Sequence, residues 1–257
     1  MVMKKIIITG GPTNEPIDEV MKITNMSTGS LSTYLGSLFL EAGYQVCLIL
    51  NRSVPLERVT AAENATKNLT VRAVETTEEM LKALEAERKE GYADAVIHAS
   101  AVGDYKADYT FRLEDLAKYL WERIEKGEIT GENALLCAME KGEAYCIDNS
   151  SKISSYQKNL TVKLGLTPKI IARLREWYPD TLLIGCKLLE NVPKEELFEV
   201  AQNLCRKNDM DYILANDLAD LRDGNPVRYL VNQNGFTGKM LETPVDIFDF
   251  VRTCLEK

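Results

Sequence analysis

Histidine is scarce in this 257-residue sequence: the only one, His98, lies inside the apolar run ADAVIHAS. Zinc sites and Ser-His-Asp triads need histidine or cysteine at defined positions, so both kinds of site have little material here. The cysteines are scattered without any C-x-x-C pair, at Cys47, Cys137, Cys146, Cys186, Cys205 and Cys254. We predict a buried, hydrogen-bonded His98 rather than a catalytic base, and buried thiols rather than disulfides or metal ligands.

Long apolar runs are also missing. No stretch approaches the roughly 18–20 apolar residues of a membrane span, and the opening MVMKKIIITGG is too short in its apolar part for a signal peptide. The net charge of −8 argues against nucleic acid or an anionic membrane as partner, although a local basic pocket remains compatible with it. These features predict a cytoplasmic protein.

The common nucleotide fingerprints are absent. The sequence has no G-x-x-x-x-G-K-[ST], and GGPTNEP is not G-x-G-x-x-G, because Pro12 and Pro16 would obstruct a helix starting after the first glycine. None of the eleven tyrosines is followed by a lysine four residues later, as the short-chain dehydrogenase family requires. These absences make an NAD(P)- or flavin-dependent oxidoreductase only the second hypothesis for the function. A catalytically inactive binding module is the third.

What is present is an alternation of strand and helix patterns. Buried-strand patterns occur in KKIIIT, YQVCLIL, LTVRAV, ADAVIHA, TLLIGCK and MDYILAN. Helical patterns occur in LSTYLGSLFLEAG, TTEEMLKALEAERKEG, TPKIIARLREWYP, VPKEELFEVAQNLCRKN and PVDIFDFVRTCLEK. The second of these opens with a capping-box pattern from Thr76 to Glu79, and the third with Thr167 as N-cap and Pro168 at its first position. The pattern predicts a Rossmann-like, doubly wound α/β fold with a mainly parallel sheet and helices on both faces.

One region interrupts this rhythm. Residues from about 103 to 165 carry polar helices and then DNSSKISSYQKN, a segment rich in Ser, Lys and Asn. We predict a single domain over residues 1–257 with an excursion at about 103–165, used as a lid or for dimerisation. The excursion carries a mobile loop at about 147–159, called the lid loop below. VRYLVNQNGFTGKML predicts a hairpin around an Asn-Gly turn.

Unusual segments follow four of the predicted strands: TGGPTNEPID, SAVGDYKAD, KLLENV and NDLAD. Ligands of doubly wound sheets bind outside the carboxyl ends of the strands, so these segments predict a binding site. Prolines in the first loop suit a loop that wraps around a substrate, which moves the phosphate site to Ser27, Thr28 and Gly29 before the next helix. The alternative, that Ser27 and Thr28 only cap this helix, is equally open from spacing.

These motifs resemble the phosphopantothenate–cysteine ligase family. The family opening TxGGTxExID-V-ITNxSSG is similar to TGGPTNEPIDEVMKITNMSTG, and its AAVADY is similar to SAVGDY. Its lysine-bearing loop KIKK aligns with KISS at Lys152, followed by LTVKLGLTPKII, and its KN-D-I-AND resembles KNDMDYILAND. The segment GCKLLENV looks most like the stand-alone bacterial form. The motifs occur in order over nearly the whole chain.

The resemblance implies an activity in coenzyme A biosynthesis, the ligation of 4′-phosphopantothenate to L-cysteine. The carboxylate attacks the α-phosphorus of CTP, or of ATP in some members, with Mg²⁺ on the phosphates, and the cysteine amine attacks the acyl-nucleotidylate. It implies catalytic roles for Asn25 on the intermediate and Lys152 on the triphosphate. It also implies a homodimer with the excursion and the hairpin as contacts. The implied nucleotide-binding residues are Gly10, Gly11, Ser27, Thr28, Gly29, Ser100, Ala101, Asp104, Lys187, Lys207 and Asn216.

Several residues depart from the family pattern. Pro12 adds a residue to GGT, Ser32 replaces a glycine, Gly103 replaces an alanine, and Cys186 stands where the family has a phenylalanine near the nucleotide. CTP is expected over ATP from the likeness to the stand-alone form, and the departure at Cys186 bears directly on that preference.

Overall fold

Apolar runs that are buried on both faces form several central strands of the structure, a computed structural model that describes residues 3–256. The strands, in chain order, are β1 Lys5–Gly10, β2 Asn14–Pro16, β3 Lys22–Thr24, β4 Gln45–Asn51, β5 Leu69–Val74, β6 Ala95–His98, β7 Tyr105–Arg112, β8 Cys146–Ile147, β9 Leu160–Leu166, β10 Leu182–Leu189, β11 Tyr212–Asp217, β12 Arg228–Asn232 and β13 Gly235–Leu241. The α-helices are α1 Ser30–Glu41, α2 Glu57–Thr60, α3 Ala65–Asn68, α4 Thr77–Glu90, α5 Leu113–Glu125, α6 Glu132–Met139, α7 Ile171–Trp177, α8 Lys194–Lys207, α9 Leu218–Arg222 and α10 Pro244–Leu255. A 3₁₀ turn covers Gly142–Ala144.

The residues divide into two compact units. The sheet unit comprises the residues up to Thr13, Asn25–Val102 and the chain from Pro168 onward. The small unit comprises Asn14–Thr24 and Gly103–Thr167.

An eight-stranded sheet forms the centre of the sheet unit, in the order β13-β12-β11-β10-β6-β1-β4-β5. All six predicted strands are present and pair in parallel, and the β12–β13 hairpin adds two antiparallel strands at one edge. Alternate side chains of β1 enter different cores. Ile6 and Ile8 pack with α1 and α10, whereas Ile7 packs with α4, α7 and α8. The predicted Rossmann-like fold with helices on both faces is therefore confirmed.

The helix ends follow local signals in some places and not in others. Thr76 caps α4 as predicted, because its side chain accepts a hydrogen bond from the Glu79 N–H. The carboxylate of Glu79 accepts from the Glu75 N–H at 2.7 Å. The prediction that Thr167 caps α7 is wrong: α7 begins at Ile171. The Thr167 N–H instead donates to the carbonyl oxygen of Asp104 at 3.1 Å, and its hydroxyl donates to that of Gly103.

The predicted hairpin near the C-terminus forms with a slightly different turn. Residues Gln233 and Asn234 connect the strands, and Gly235 opens β13 with a φ of +111°. No helix within residues 3–256 combines the length and apolar character needed to cross a bilayer.

The cysteines divide by burial. Cys47 and Cys205 are buried, as predicted for small apolar side chains, but Cys137 and Cys146 are exposed, so the prediction of buried thiols is wrong for these two. Both lie in the small unit, where Ala138 is the one buried residue of α6 and neither residue of the short strand β8 is buried.

The small unit has its own sheet, with strand order β8-β7-β9. Phe111, Tyr109 and Tyr145 pack together beneath it, with ring centroids 5.2–6.0 Å apart. The β2–β3 hairpin belongs to this unit, which the sequence analysis did not expect. The use of the unit as a lid or a dimer contact stays a prediction.

Candidate active site

The six parallel strands of the sheet unit end at one edge, and the strand order changes direction there. From β1 the chain proceeds outward through β4 and β5 on one side, and through β6, β10 and β11 on the other. The crevice of such a sheet lies where these directions diverge, between the ends of β1 and β6. Gly10 ends β1 and Gly11 follows it, and Ser100 and Ala101 follow β6, so the structure brings these four predicted residues together.

Backbone hydrogen bonds join the loops after β1 and β6. The Ala101 N–H donates to the Gly11 carbonyl oxygen at 2.9 Å, and the Thr13 N–H donates to the Ala101 carbonyl oxygen at 3.3 Å. Pro12 lies between these two bonds and pairs with Ala101 as an isolated parallel bridge. Because the bonds use Gly11 and Thr13, the missing N–H of Pro12 costs nothing. The proline thus stiffens a loop that continues the strand rather than starting a helix.

Asn25 attaches the segment before α1 to the same edge. Its side-chain nitrogen, Nδ2, donates to the carbonyl oxygens of Ala101 at 3.2 Å and Val102 at 3.1 Å. These bonds fix the position of an exposed side chain beside the crevice. The predicted contact of Asn25 with an intermediate stays a prediction.

Glycines allow the backbone to approach closely at the start of α1. Gly29 is the N-cap residue and Gly11 lies against it, with φ values of +71° and +78°. A Cβ on Gly29 would lie 2.7 Å from Cγ2 of Val54 and 3.1 Å from the Gly11 nitrogen. Close approach therefore requires glycine at both positions.

The first turn of α1 has no side-chain cap. The Thr28 hydroxyl accepts only a long bond, 3.4 Å, from the Ser30 N–H, and the Ser27 N–H donates to the Asn25 carbonyl oxygen at 3.0 Å. Neither Ser27 nor Thr28 occupies the N-cap position, so the simple capping alternative is not what the structure contains. A helix N-terminus of this kind attracts anions.

Buried hydroxyls form hydrogen bonds that connect the ends of β1 and β6 and the helix α1. The sequence analysis missed this role. The Ser32 hydroxyl is buried and donates to the Thr9 carbonyl oxygen at 2.9 Å. A Cβ on Gly10 would lie 2.2 Å from the hydroxyl oxygen of Ser32, so Ser32 occupies the space that a side chain at position 10 would need. The Thr9 hydroxyl lies 2.8 Å from Nδ1 of His98 and accepts the Ser100 N–H at 3.3 Å. The sequence signal that could have indicated this role is the position of Thr9, a polar residue between an apolar run and two glycines.

His98 is buried in this network, as predicted. Burial lowers the pKa of His98 to about 4, so the ring is neutral at pH 7. It supports the β1–β6 edge through Thr9.

The Ser100 hydroxyl is the exception in this network. Its oxygen is buried and has no hydrogen-bond partner within the part of the chain that the structure describes. A buried hydroxyl without a partner costs about 1–3 kcal/mol. Its place in the crevice makes it a candidate donor or acceptor for a ligand.

The strands on the β10 side contribute further polar groups. Lys187 is half-buried on β10, opposite Ala215, and Asn216 is nearly buried at the end of β11. The next residue, Asp217, was missed: its carboxylate accepts the N–H groups of Asn191, Val192 and Ala219 at 2.8–3.1 Å. These bonds lower the pKa of Asp217. Asp217 thereby shapes the loop after β10.

Lys207 does not join this group. It is the last residue of α8, which leads into the amino end of β11. A 14-residue helix spans about 21 Å, so Lys207 lies at the opposite edge of the sheet. Its predicted contact with the nucleotide has no support in this geometry.

Cys186, where the resembling family has a phenylalanine, is half-buried on β10 and packs against the core that contains α1 and α10. Burial raises the pKa of its thiol to about 11. The residue therefore presents a small neutral thiol at neutral pH.

The remaining candidates, Asp104 and Lys152, belong to the small unit and are exposed. Asp104 precedes β7, and its carbonyl oxygen accepts the Thr167 N–H. Lys152 lies in the lid loop beside the buried Ile153.

The fold and the edge just described define a Rossmann-like α/β protein with a candidate ligand site at the switch in strand order. A family model described as "DNA/pantothenate metabolism flavoprotein C-terminal domain" matches residues 1–113. The chain is 30% identical over 216 residues to the coenzyme A biosynthesis bifunctional protein CoaBC of Thermococcus kodakarensis. The match covers 84% of this chain and 41% of that relative, so the chain spans less than half of the relative's length.

Two solved structures are similar over most of the chain. The DNA/pantothenate metabolism flavoprotein from Streptococcus pneumoniae is 28% identical, with a TM-score of 0.73 and 98% of both chains covered. A Cab2 mutant in complex with phosphopantothenate-cysteine is 16% identical, with a TM-score of 0.67, and covers 98% of this chain and 86% of that one. The second likeness shows the fold alone. The family-model match, the Thermococcus relative and the Streptococcus structure confirm the resemblance found in the motifs: the chain is similar to proteins of pantothenate metabolism and coenzyme A biosynthesis.

Proposed function

We propose that this protein joins 4′-phosphopantothenate to L-cysteine in a nucleotide-dependent reaction of coenzyme A biosynthesis. The observation that carries the proposal is the crevice between β1 and β6, where the two family-like loops are joined and the Ser100 hydroxyl is left without a partner. The relatives support it, since their names refer to coenzyme A biosynthesis and pantothenate metabolism. They do not favour the alternative of an NAD(P)- or flavin-dependent oxidoreductase.

The proposed reaction has two steps. A carboxylate oxygen of phosphopantothenate attacks the α-phosphorus of the nucleoside triphosphate, and pyrophosphate leaves with the electrons of the broken P–O bond. The amine of cysteine then attacks the carbonyl carbon of the acyl-nucleotidylate. Nucleoside monophosphate leaves, and the nitrogen loses a proton as the amide forms. Neither step needs a nucleophile from the protein, so the protein contributes positioning and charge neutralisation.

The site residues have distinct proposed tasks. The N–H groups at Gly29 and the start of α1, with the hydroxyls of Ser27 and Thr28, would bind a phosphate group. Asn25 would hold the intermediate beside the Ala101 backbone, to which its amide is already bonded. Lys152 would neutralise the triphosphate and exclude water from the anhydride.

The other residues would complete the nucleotide site. Gly10 and Gly11 would offer backbone groups to the nucleotide, and Ser100 and Ala101 would line the crevice. Lys187, Asn216 and Asp104 would provide polar contacts to the nucleotide.

Magnesium is expected to enter with the nucleotide. No group of three His, Cys, Asp or Glu side chains converges on a possible metal position among residues 3–256. Mg²⁺ commonly binds through substrate phosphates and one or two carboxylates, which suits such a site. When bound, it would stabilise the charge that develops on the leaving pyrophosphate. Asp104, in the family-like motif, is the carboxylate proposed to approach the ion.

Three finer proposals accompany the reaction. CTP is proposed over ATP because GCKLLENV is most similar to the stand-alone bacterial form. A homodimer and a cytoplasmic location are proposed because the resembling family implies the first and its place in metabolism suits the second.

The deciding experiment supplies phosphopantothenate and cysteine with each of the four nucleoside triphosphates and follows pyrophosphate release. Stoichiometric phosphopantothenoylcysteine, pyrophosphate and nucleoside monophosphate are expected. Release of nucleoside diphosphate and orthophosphate would indicate an acyl-phosphate route and refute the proposal. A higher kcat/KM with ATP than with CTP would refute the nucleotide preference alone.

A further inference from the structure

A single carboxylate joins the two sequence segments of the small unit. Asp18 lies in the turn between β2 and β3, with only 6% of the residue exposed. Its Oδ1 accepts the N–H groups of Val20 at 2.7 Å and Met21 at 2.6 Å. Its Oδ2 accepts the N–H of Ile153 at 2.8 Å, across 135 positions in the chain. One oxygen therefore shapes the turn, and the other holds the lid loop.

The lid loop makes a further hydrogen bond to the same turn: the Asn149 amide donates to the Ile17 carbonyl oxygen at 3.0 Å. Ile153 itself is buried, with 6% of the residue exposed. The backbone bonds lower the pKa of Asp18, and the positive charge of Lys152 contributes in the same direction. Asp18 and Lys152 both line a cleft of about 180 Å³.

The hydrogen bond from Ile153 to Asp18 restrains the backbone at Lys152 in particular, because Ile153 directly follows Lys152. The lid loop is rich in exposed Ser, Lys and Gln side chains and has few buried apolar side chains, so little else restrains its backbone. A hydrogen bond to an ionised acceptor is stronger than one to a neutral acceptor. Fixing the Ile153 N–H restricts the φ and ψ angles from which the Lys152 side chain projects.

We propose that Asp18 is a positioning residue for Lys152: its Oδ2 holds the lid loop on the β2–β3 turn so that the lysine is presented from a fixed backbone. The proposal rests on the ligase function proposed above for the role of Lys152. It assigns no contact with substrate to Asp18 itself.

The variant Asp18→Asn separates the two tasks of the carboxylate. Its remaining oxygen can still accept from Val20 and Met21, whereas its NH₂ group faces the Ile153 N–H and cannot accept. Asp148→Asn is the matched control. It removes the same charge within the lid loop, where Asp148 accepts from the N–H of the nearby Ser150.

The first measurement needs no substrate. Hydrogen exchange of the Ile153 amide, followed by NMR in the ligand-free protein, is expected to accelerate about ten- to a hundredfold in Asp18→Asn and to stay within about twofold in Asp148→Asn. The amides of Val20 and Met21 should remain protected, which would show that the turn itself is intact. Unchanged exchange at Ile153 in Asp18→Asn overturns the proposal, whatever reaction the protein catalyses.

The second measurement is a double-mutant cycle on nucleotidyl transfer. Asp18→Asn is expected to lower kcat about tenfold with little change in the KM for cysteine, and to cause no further loss in a Lys152→Ala background. Independent, multiplicative losses would show that Asp18 acts on stability rather than through Lys152, and would overturn the proposal. Absence of ligase activity in the wild type would instead refute the proposed function and leave the exchange result to decide whether Asp18 holds the loop.

Discussion

Replacing Gly29 with alanine is expected to destabilise the sheet unit by about 2–5 kcal/mol. The backbone at Gly29 has a φ of +71°, and an alanine there costs about 1–2 kcal/mol in backbone strain. The added Cβ would lie 2.7 and 2.9 Å from the two Cγ atoms of Val54 and 3.1 Å from the Gly11 nitrogen. Val54 is buried and β-branched, so it cannot rotate away easily. Overpacking of this kind adds about 1–3 kcal/mol.

Gly43→Ala is the matched control, since Gly43 has a φ of +83° and no atom within 4 Å of a built Cβ. It should cost only the strain, about 1–2 kcal/mol. Val54→Ala should cost about 1.5–3 kcal/mol by itself. The double variant Gly29→Ala with Val54→Ala should then be more stable than the sum of the single losses predicts, by about 1–3 kcal/mol.

Urea unfolding measures these differences, with Trp177 of the sheet unit as the fluorescence reporter. The chain has two tryptophans, so a Trp121→Phe background removes the signal of the small unit. If Gly29→Ala costs no more than Gly43→Ala, or if Val54→Ala brings no relief, the close approach of Gly11, Gly29 and Val54 is wrong.

Three other outcomes can be measured. Lys152→Ala is expected to lower the nucleotidyl-transfer rate at least about a hundredfold with little change in Tm. Lys158→Ala, in the same loop, should retain most activity. Equal activities of the two variants would contradict the role of Lys152. Because burial lowers the pKa of His98 from 6.5 to about 4, its contribution to stability is complete above pH 6.5. This contribution to stability is lost as the pH falls toward 4, by roughly 3 kcal/mol at most. His98→Asn should flatten this part of the pH–stability curve, measured by urea unfolding. An unchanged slope would count against a buried neutral ring. Ser100→Ala should leave the Tm of the ligand-free protein unchanged or higher and should weaken nucleotide binding by about 1 kcal/mol in calorimetry. Ser32→Ala, in contrast, should lower the Tm. A lower Tm for Ser100→Ala would show that the Ser100 hydroxyl has a partner in the folded chain.

The central sheet could be predicted from sequence because its signal is local. A buried parallel strand must be apolar on both faces, so runs such as KIIIT and QVCLIL identify themselves without knowledge of their neighbours. The rule that ligands bind at the carboxyl edge then placed Gly10, Gly11, Ser100 and Asn216 on one side of the sheet. Chain order alone was enough to bring these residues to one edge.

The same rule, applied to helices, would have corrected one assignment. A helix that connects two parallel strands runs back along the sheet, so its last turn lies at the amino edge. Lys207 ends α8 and is five positions before the start of β11. The resemblance placed it beside the nucleotide, but the direction of the helix places it at the other edge.

Contacts between distant segments account for the rest of what the sequence did not predict. Thr167 has the local signature of an N-cap, yet its hydroxyl and N–H bond the backbone of Gly103 and Asp104, about 64 positions away. Asp18 likewise has the local signature of a turn residue, and Oδ1 performs that task. Only the fold shows that Oδ2 reaches Ile153. A short polar side chain has a second bonding capacity that local sequence cannot assign, and in this protein that capacity connects the opening motif to the loop that carries Lys152.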